Sequence, residues 1–163
     1  AMELLWADGC PINLLVVGKD GWGGSRSETT QSVADRLRGH PERGRRLFWF
    51  ERISDEYLEE IYKIAGVLVA ASYTEGFGLP LIEASRHRVP VLARDIGVFR
   101  EVGGEYVSYF TAGDAPALAR AILDWWSGKE AGQVPEAGRV PWLTWRECAE
   151  RIAASLTGKK GNT

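Results

Sequence analysis

Several functional classes are excluded by what the 163-residue chain has little of. It has only two cysteines, Cys10 and Cys148, which form no metal-ligand or redox spacing and read as two buried cytosolic thiols. Its net charge is −2, so there is no electrostatic case for a nucleic-acid partner. The longest apolar run, AGVLVAA at 65–71, falls far short of a membrane span, which needs about 20 residues. The opening AMELLWADG lacks the basic start and long apolar stretch of a secretory leader. No GK[ST] occurs, so the glycine-rich GKDGWGGS at 18–25 is not a P-loop, and no G-x-G-x-x-G links a first strand to a helix.

What is present is ordinary for a globular protein: 45% hydrophobic and 26% charged residues, enough for one compact domain over 1–163. Short apolar runs read as strands at 12–17, 46–50, 67–71, 90–94 and 106–110. Helical patterns lie between them. One starts at Ser25 or Ser27 and runs to His40; another is capped by Ser54, with Leu58, Ile61, Tyr62 and Ala65 on one face and Gly66 as its stop. A third covers 79–88, with Pro80 near its first turn. A fourth starts at Asp114. A fifth, over 142–156, carries Trp142, Trp145, Ala149, Ile152 and Leu156 on an apolar face, and Trp49, Trp125 and Trp145 sit at core spacing. The start reads as the last turns of an amphipathic helix ended by Gly9, and Ala1 ahead of the only methionine reads as a cloning remnant. The chain is therefore expected to be a piece of a longer protein.

Apolar strands alternating with helices predict an α/β fold: a Rossmann-like three-layer sandwich with a mostly parallel sheet. Such sheets bind ligands beyond the carboxyl ends of their strands. That directs attention to SYTEGFGLPLIEASRHRVPVLARD at 72–95. Glu75 follows a strand. Gly76 and Gly78 allow a tight turn with backbone close to a ligand. The helix that follows aims free N–H groups at the same opening, which suits an anion. Glu83 lies one turn into that helix, and helical side chains lean towards the N-terminus. Two carboxylates accept hydroxyl hydrogen bonds while amides take phosphate, a combination that fits a nucleotide sugar. On spacing alone, a solvated loop Glu75 and a surface Glu83 fit as well.

The same segment resembles the donor-binding half of the retaining glycosyltransferases of family 4, which have the two-domain GT-B fold. Their signature is a Glu, seven residues and a second Glu, with Gly-Phe-Gly between; Glu75 and Glu83 match it without a gap. LLVVGKDGW, RLFWFERISDEYLEEIYKIAGVLVAAS and VPWLTWRECAERI resemble further parts of that half, so the likeness covers nearly the whole chain. It implies that Glu75 contacts the transferred sugar and stabilises an oxocarbenium-like transition state, and that Glu83 holds the ribose hydroxyls. Gly76 belongs to the same turn, and the amides of Phe77, Gly78 and Leu79 would hold the sugar and distal phosphate. Arg52 and Ile53 would lie against the base, and Gly18 and Lys19 would line the pocket. The family often has a glycine where this chain has Glu51.

The resemblance further implies a hexose donor, no metal or other cofactor, and a glycan or lipid-linked acceptor held by an N-terminal domain absent here. The local wording resembles bacterial O-antigen and capsule transferases most, often mannosyltransferases using GDP-mannose. This places the full-length protein in the cytoplasm, with a peripheral site at the inner membrane face. The family's Arg and Lys that neutralise the donor diphosphate would precede Ala1, so the chain alone is expected to have little or no transferase activity. The family's central first strand would also be missing, leaving the strands at 12–17 and 67–71 with open edges and a homodimer as the expected way to cover them. The alternatives are a degenerate Rossmann-like interaction module that binds no donor, and a receiver-type regulatory module, which would need an acid at the end of a middle strand that VLVAAS lacks. Trp22, in the glycine loop, is a candidate cover for a base or sugar. His87, His40, the cluster Arg43, Arg45 and Arg46, and Glu101 read as surface or structural residues.

Overall fold

A computed structural model describes residues 1–18 and 28–156. The chain divides into two compact units: Ala1–Ala65 with Phe110–Gln133, and Gly66–Tyr109 with Val134–Thr163.

In the first unit, α1 (Met2–Ala7) leads into β1 (Leu14–Val17), α2 (Glu28–Arg38), β2 (Leu47–Phe50) and α3 (Asp55–Ile64); α6 (Ala115–Glu130) belongs to it as well. β1 and β2 pair in parallel, with Leu14 opposite Leu47 and Val17 opposite Phe50. The cap at Ser54 is as expected: its hydroxyl accepts from the Tyr57 amide at 3.3 Å, and acids fill the first turn of α3. Asp114 caps α6 through the Ala117 amide at 2.8 Å. α1 packs against α6. The core of this unit holds Leu5, Trp6, Ala34, Leu47, Ile61, Tyr62, Ala119, Ile122 and Trp125, all buried.

In the second unit β3 (Leu68–Ala70) is followed by α4 (Leu79–Arg86), β4 (Val91–Arg94), α5 (Gly97–Gly103), a 3₁₀ turn at Gly104–Tyr106, β5 (Ser108–Phe110) and, later, α7 (Trp145–Leu156). β3 and β4 are parallel, and β5 completes a sheet of order β3-β4-β5. Val91, Leu92 and Ala93 of the central strand are 5%, 2% and 0% exposed, as a strand flanked on both sides should be. Leu81 and Ala84 of α4 and Phe99 of α5 complete this core. Ser85 is the buried polar residue here; its hydroxyl accepts from the Val140 amide at 3.1 Å and ties the loop before α7 to α4.

The parallel α/β class and all five strands are as expected, but several details differ. α5 was not foreseen. The strand expected from 106 starts at Ser108, because a 3₁₀ turn occupies Gly104–Tyr106. The last helix starts at Trp145 rather than 142, and it buries none of its residues: Trp145, Ile152 and Leu156 are 89%, 61% and 83% exposed. Trp145 is thus a surface residue, whereas Trp125 is core. Cys10 and Cys148 are both free and half-buried, not buried. The expected caps Ser25 and Ser27 lie outside the described residues, as do Lys19 and Trp22. Among the described residues, no helix is long and apolar enough to cross a membrane.

Candidate functional site

The turn between β3 and α4 sits at the carboxyl end of a parallel strand, where open α/β sheets take ligands. Gly78 is the residue before the helix and has φ +66°, a left-handed conformation that costs glycine little. It is buried: a Cβ there would stand 3.5 Å from Val102 Cγ2 and 3.6 Å from Phe99 Cδ1, so α5 backs the turn. The chain then enters α4 with Pro80 in the first turn and no side-chain cap. Pro80 has no N–H and the Leu81 amide donates to the Gly78 carbonyl at 3.0 Å, which leaves the Leu79 amide of this first turn at the positive end of the helix dipole.

Glu75 is half-buried, and its Oε1 accepts from the amide of Gly76 at 2.9 Å. Glu83 lies in the second turn of α4 and is half-buried. Phe77 and Leu79 flank Gly78 with 78% and 51% exposure, so their side chains stand in solvent while their backbone forms the turn. The structure therefore brings Glu75, Gly76, Phe77, Gly78, Leu79 and Glu83 together on one turn-helix element.

Gly18, Arg52 and Ile53 belong to the first unit. β1 and β2 run in parallel with Val17 opposite Phe50, so Gly18 and the Arg52–Ile53 segment leave the sheet at the same, carboxyl end. The Gly18 amide donates to Phe50 O at 3.0 Å, and its carbonyl accepts from Trp49 Nε1 at 2.9 Å. Arg52 is exposed and Ile53 half-buried. Glu51 is 3.6 Å from Arg38 in an exposed ion pair. Lys19 falls outside the described residues.

A cleft of about 710 Å³ lies elsewhere, against α1 and the end of α2, and contains none of these residues. Most of its charged side chains pair with one another. Glu3 accepts from Arg36 at 2.5 Å and meets His40 Nε2 at 3.1 Å; Glu42 takes a bidentate pair from Arg46 at 2.8 Å for each bond. The Arg46 guanidinium lies over Trp6, and His40 sits edge-on to it. The cleft is a structural seam, and the candidate site lies instead where strands of parallel sheets end. Arg46 is thus ion-paired rather than freely solvated. His87 ends α4, and Glu101 is exposed on α5. Among the described residues no group of three or more His, Cys, Asp or Glu side chains is arranged to hold a metal.

The structure ties Arg94 and Tyr73 together at the start of the loop that carries Glu75. Arg94, at the carboxyl end of β4, donates from Nε to Ala71 O at 3.1 Å, and its guanidinium carbon lies 3.9 Å from the centre of the Tyr73 ring. The available signal was a cation ending the strand that neighbours β3.

Comparison with known proteins identifies the family. The family described as "Glycosyl transferases group 1" matches residues 1–137. The chain is 43% identical over 157 residues to the "Serotype-specific mannosyltransferase WbdA" of Escherichia coli, covering 96% of this chain and 18% of that protein. It is 30% identical over 115 residues to the "O-antigen chain mannosyltransferase B" of the same species, covering 66% of this chain and 30% of that one. The chain thus spans less than a fifth of WbdA. Among solved structures, sucrose-phosphate synthase from Thermosynechococcus elongatus is similar at a TM-score of 0.68 and 25% identity, over 90% of this chain and 38% of that one. The Anabaena protein Alr3699/HepE, solved with UDP and glucose, is similar at 0.63 and 16% identity, over 96% of this chain and 51% of that one, and shows the fold alone. The fold is that of a GT-B glycosyltransferase, and the chain belongs to the group 1 glycosyl transferases.

Proposed function

We propose that this chain is the donor-binding part of a retaining, family 4 glycosyltransferase that moves a hexose from a nucleotide diphosphate sugar to a glycan or lipid-linked acceptor. The observation that carries the reading is the turn at Gly78. It sets Glu75 and Glu83 on either side of a helix N-terminus at the carboxyl end of a parallel strand. The amide end suits the diphosphate, Glu83 the ribose hydroxyls, and Glu75 the transferred sugar and the positive charge that develops on it. In this reading Arg52 and Ile53 lie against the base, and Gly18 and Lys19 line the pocket near the donor.

Mannose as the sugar is supported by the mannosyltransferase names of the similar proteins, and GDP-mannose is the donor we propose for it. The same names support a role in surface polysaccharide synthesis, and we place the protein in the cytoplasm, peripheral at the inner membrane face. The transfer uses no metal in this reading, and the acceptor is held by a further domain of a longer protein.

Saturation-transfer NMR with UDP, GDP, UDP-glucose and GDP-mannose tests this on the chain and on Glu83→Ala. GDP and GDP-mannose are expected to bind, with Glu83→Ala weakening both by roughly tenfold or more, as loss of a charged hydrogen-bond partner does. Binding of none of the four compounds would favour a module without a donor site.

A further inference from the structure

In the second unit, Ala70 of β3 stands opposite Ala93 of β4. Arg94 therefore ends β4 level with Ala71, where the chain leaves β3. Its Nε holds the Ala71 carbonyl at 3.1 Å, and its guanidinium stacks on Tyr73 at 3.9 Å. One side chain thus grips the segment at a carbonyl and at a ring, immediately before Glu75. Tyr73 is 69% exposed, so burial does little to fix the ring, and the stacked cation supplies the contact that does. A planar guanidinium can stack and donate at once; a lysine ammonium cannot keep both geometries. The hydrogen bond from the Gly76 amide to Glu75 Oε1 is internal to the loop, so it fixes the carboxylate to the loop and not to the sheet. Where that carboxylate stands depends on how the loop is tied down.

We propose that Arg94 is a positioning residue for Glu75: through Ala71 and Tyr73 it anchors the loop that presents the carboxylate to the donor sugar. The functional half of this rests on the donor-site reading above; the anchoring half does not. A displacement of about 1 Å at a reacting group is enough to cost of order a hundredfold in rate, so such an anchor acts on specificity and turnover without touching the ligand.

The test combines two readouts on the chain and on Arg94→Ala, Tyr73→Ala, Tyr73→Phe and the double Ala variant. The first is backbone ¹⁵N relaxation over residues 72–77, with α4 as the internal reference. Wild type and Tyr73→Phe, which keeps the ring, should show order parameters near about 0.85 in this segment, and the Ala variants should fall below about 0.6, with α4 unchanged. The double variant should be no looser than either single one, because both cut the same anchor. The second readout is the affinity of GDP-mannose relative to GDP. It should fall roughly tenfold in the Ala variants while GDP itself binds as before, the pattern of a lost sugar-side contact.

A segment 72–77 as ordered in Arg94→Ala as in wild type overturns the proposal. So does loosening of α4 together with the loop, which would make Arg94 a general stabiliser. Tyr73→Ala, a change at an exposed position, reads the anchor even where Arg94→Ala fails to fold. If wild type itself binds GDP-mannose no better than GDP, the sugar-site reading falls, and the relaxation data still decide whether Arg94 holds the loop.

Discussion

Two glycines in the second unit separate backbone requirements from packing requirements. Gly78 has φ +66°, but a Cβ there meets nothing closer than 3.5 Å. Gly78→Ala should therefore cost only the left-handed backbone, about 1–2 kcal/mol. Gly103 has an ordinary φ of −85°, yet a Cβ would lie 2.6 Å from Val107 Cγ2 and 2.7 Å from the Tyr109 hydroxyl. That hydroxyl sits 3.0 Å from the Phe99 carbonyl and 2.9 Å from that of Gly104, so it cannot retreat without losing them. Gly103→Ala should destabilise by about 1–3 kcal/mol through overpacking, plus the disturbed hydroxyl. Thermal melts of the two variants check the contrast: the Gly103 variant is expected to melt lower, and the reverse order would refute the packing account. Nearby, the Arg100 hydrogen bonds at 2.7 Å hold the Asp95 carboxyl below its ordinary value. His40 and then Arg36 do the same for Glu3, in the first unit. A carboxyl whose folded value is depressed contributes stability above its unfolded value, about pH 4, and loses it as pH falls through the folded value. The melting difference between wild type and Asp95→Asn should accordingly be present at pH 7 and shrink as the pH falls below about 4 and through the depressed folded value. A difference that persists undiminished in acid would mean that the ion pair is not its source.

Elements were legible in the sequence where a local signal matched the outcome. The strands were readable as short apolar runs, and α3 and α6 announced themselves through Ser54 and Asp114, whose side chains do cap them. The Gly-Phe-Gly-Leu-Pro turn was legible for the same reason: its residue types fit few other backbones. α5 was not. It is seven residues long, follows Ile96 with no side-chain cap, and contributes Phe99 and Gly103 alone to the buried set, too little for a helical period to emerge. The Arg94 anchor was invisible because it depends on strand register, which places Arg94 beside Ala71 across 23 residues of sequence. α7 shows the converse limit. Its spacing correctly announces an apolar face, but spacing does not say what covers that face, and in this chain Trp145, Ile152 and Leu156 are exposed. A helix that buries no residue should open locally at low cost. Amide hydrogen exchange along α7 is therefore expected to be orders of magnitude faster than along α4, whose Leu81, Ala84 and Ser85 are buried. Comparable protection in the two helices would mean that the α7 face is covered in solution.

For the whole molecule the sheet edges matter most. Among the described residues β1 is hydrogen-bonded to β2 alone, and β3 to β4 alone. Each therefore has one row of backbone groups that no described strand pairs, at the two positions foreseen from the sequence. Burial follows the same division. Leu14, Leu15 and Val16 of β1 and Leu68 and Val69 of β3 are only half-buried, whereas Val91, Leu92 and Ala93 of β4 are buried. Strands of parallel sheets are normally covered on both faces, and an apolar strand with an open edge is a template for another chain. Nothing at these edges resembles the usual protections: the strands LLVV and LVA carry neither a charge nor a proline. We expect the chain to cover them by self-association. Light scattering over a range of concentrations should show a mass that rises above 18.0 kDa as the chain is concentrated. Replacing Val16 with Lys, which puts a charge on the β1 edge, should shift that rise to higher concentration, because desolvating the charge at a strand-to-strand contact is costly. A mass that stays monomeric throughout would show that the edges are tolerated as they stand. A mass that rises equally in the Lys variant would place the association elsewhere, with the exposed face of α7 as the next surface to change.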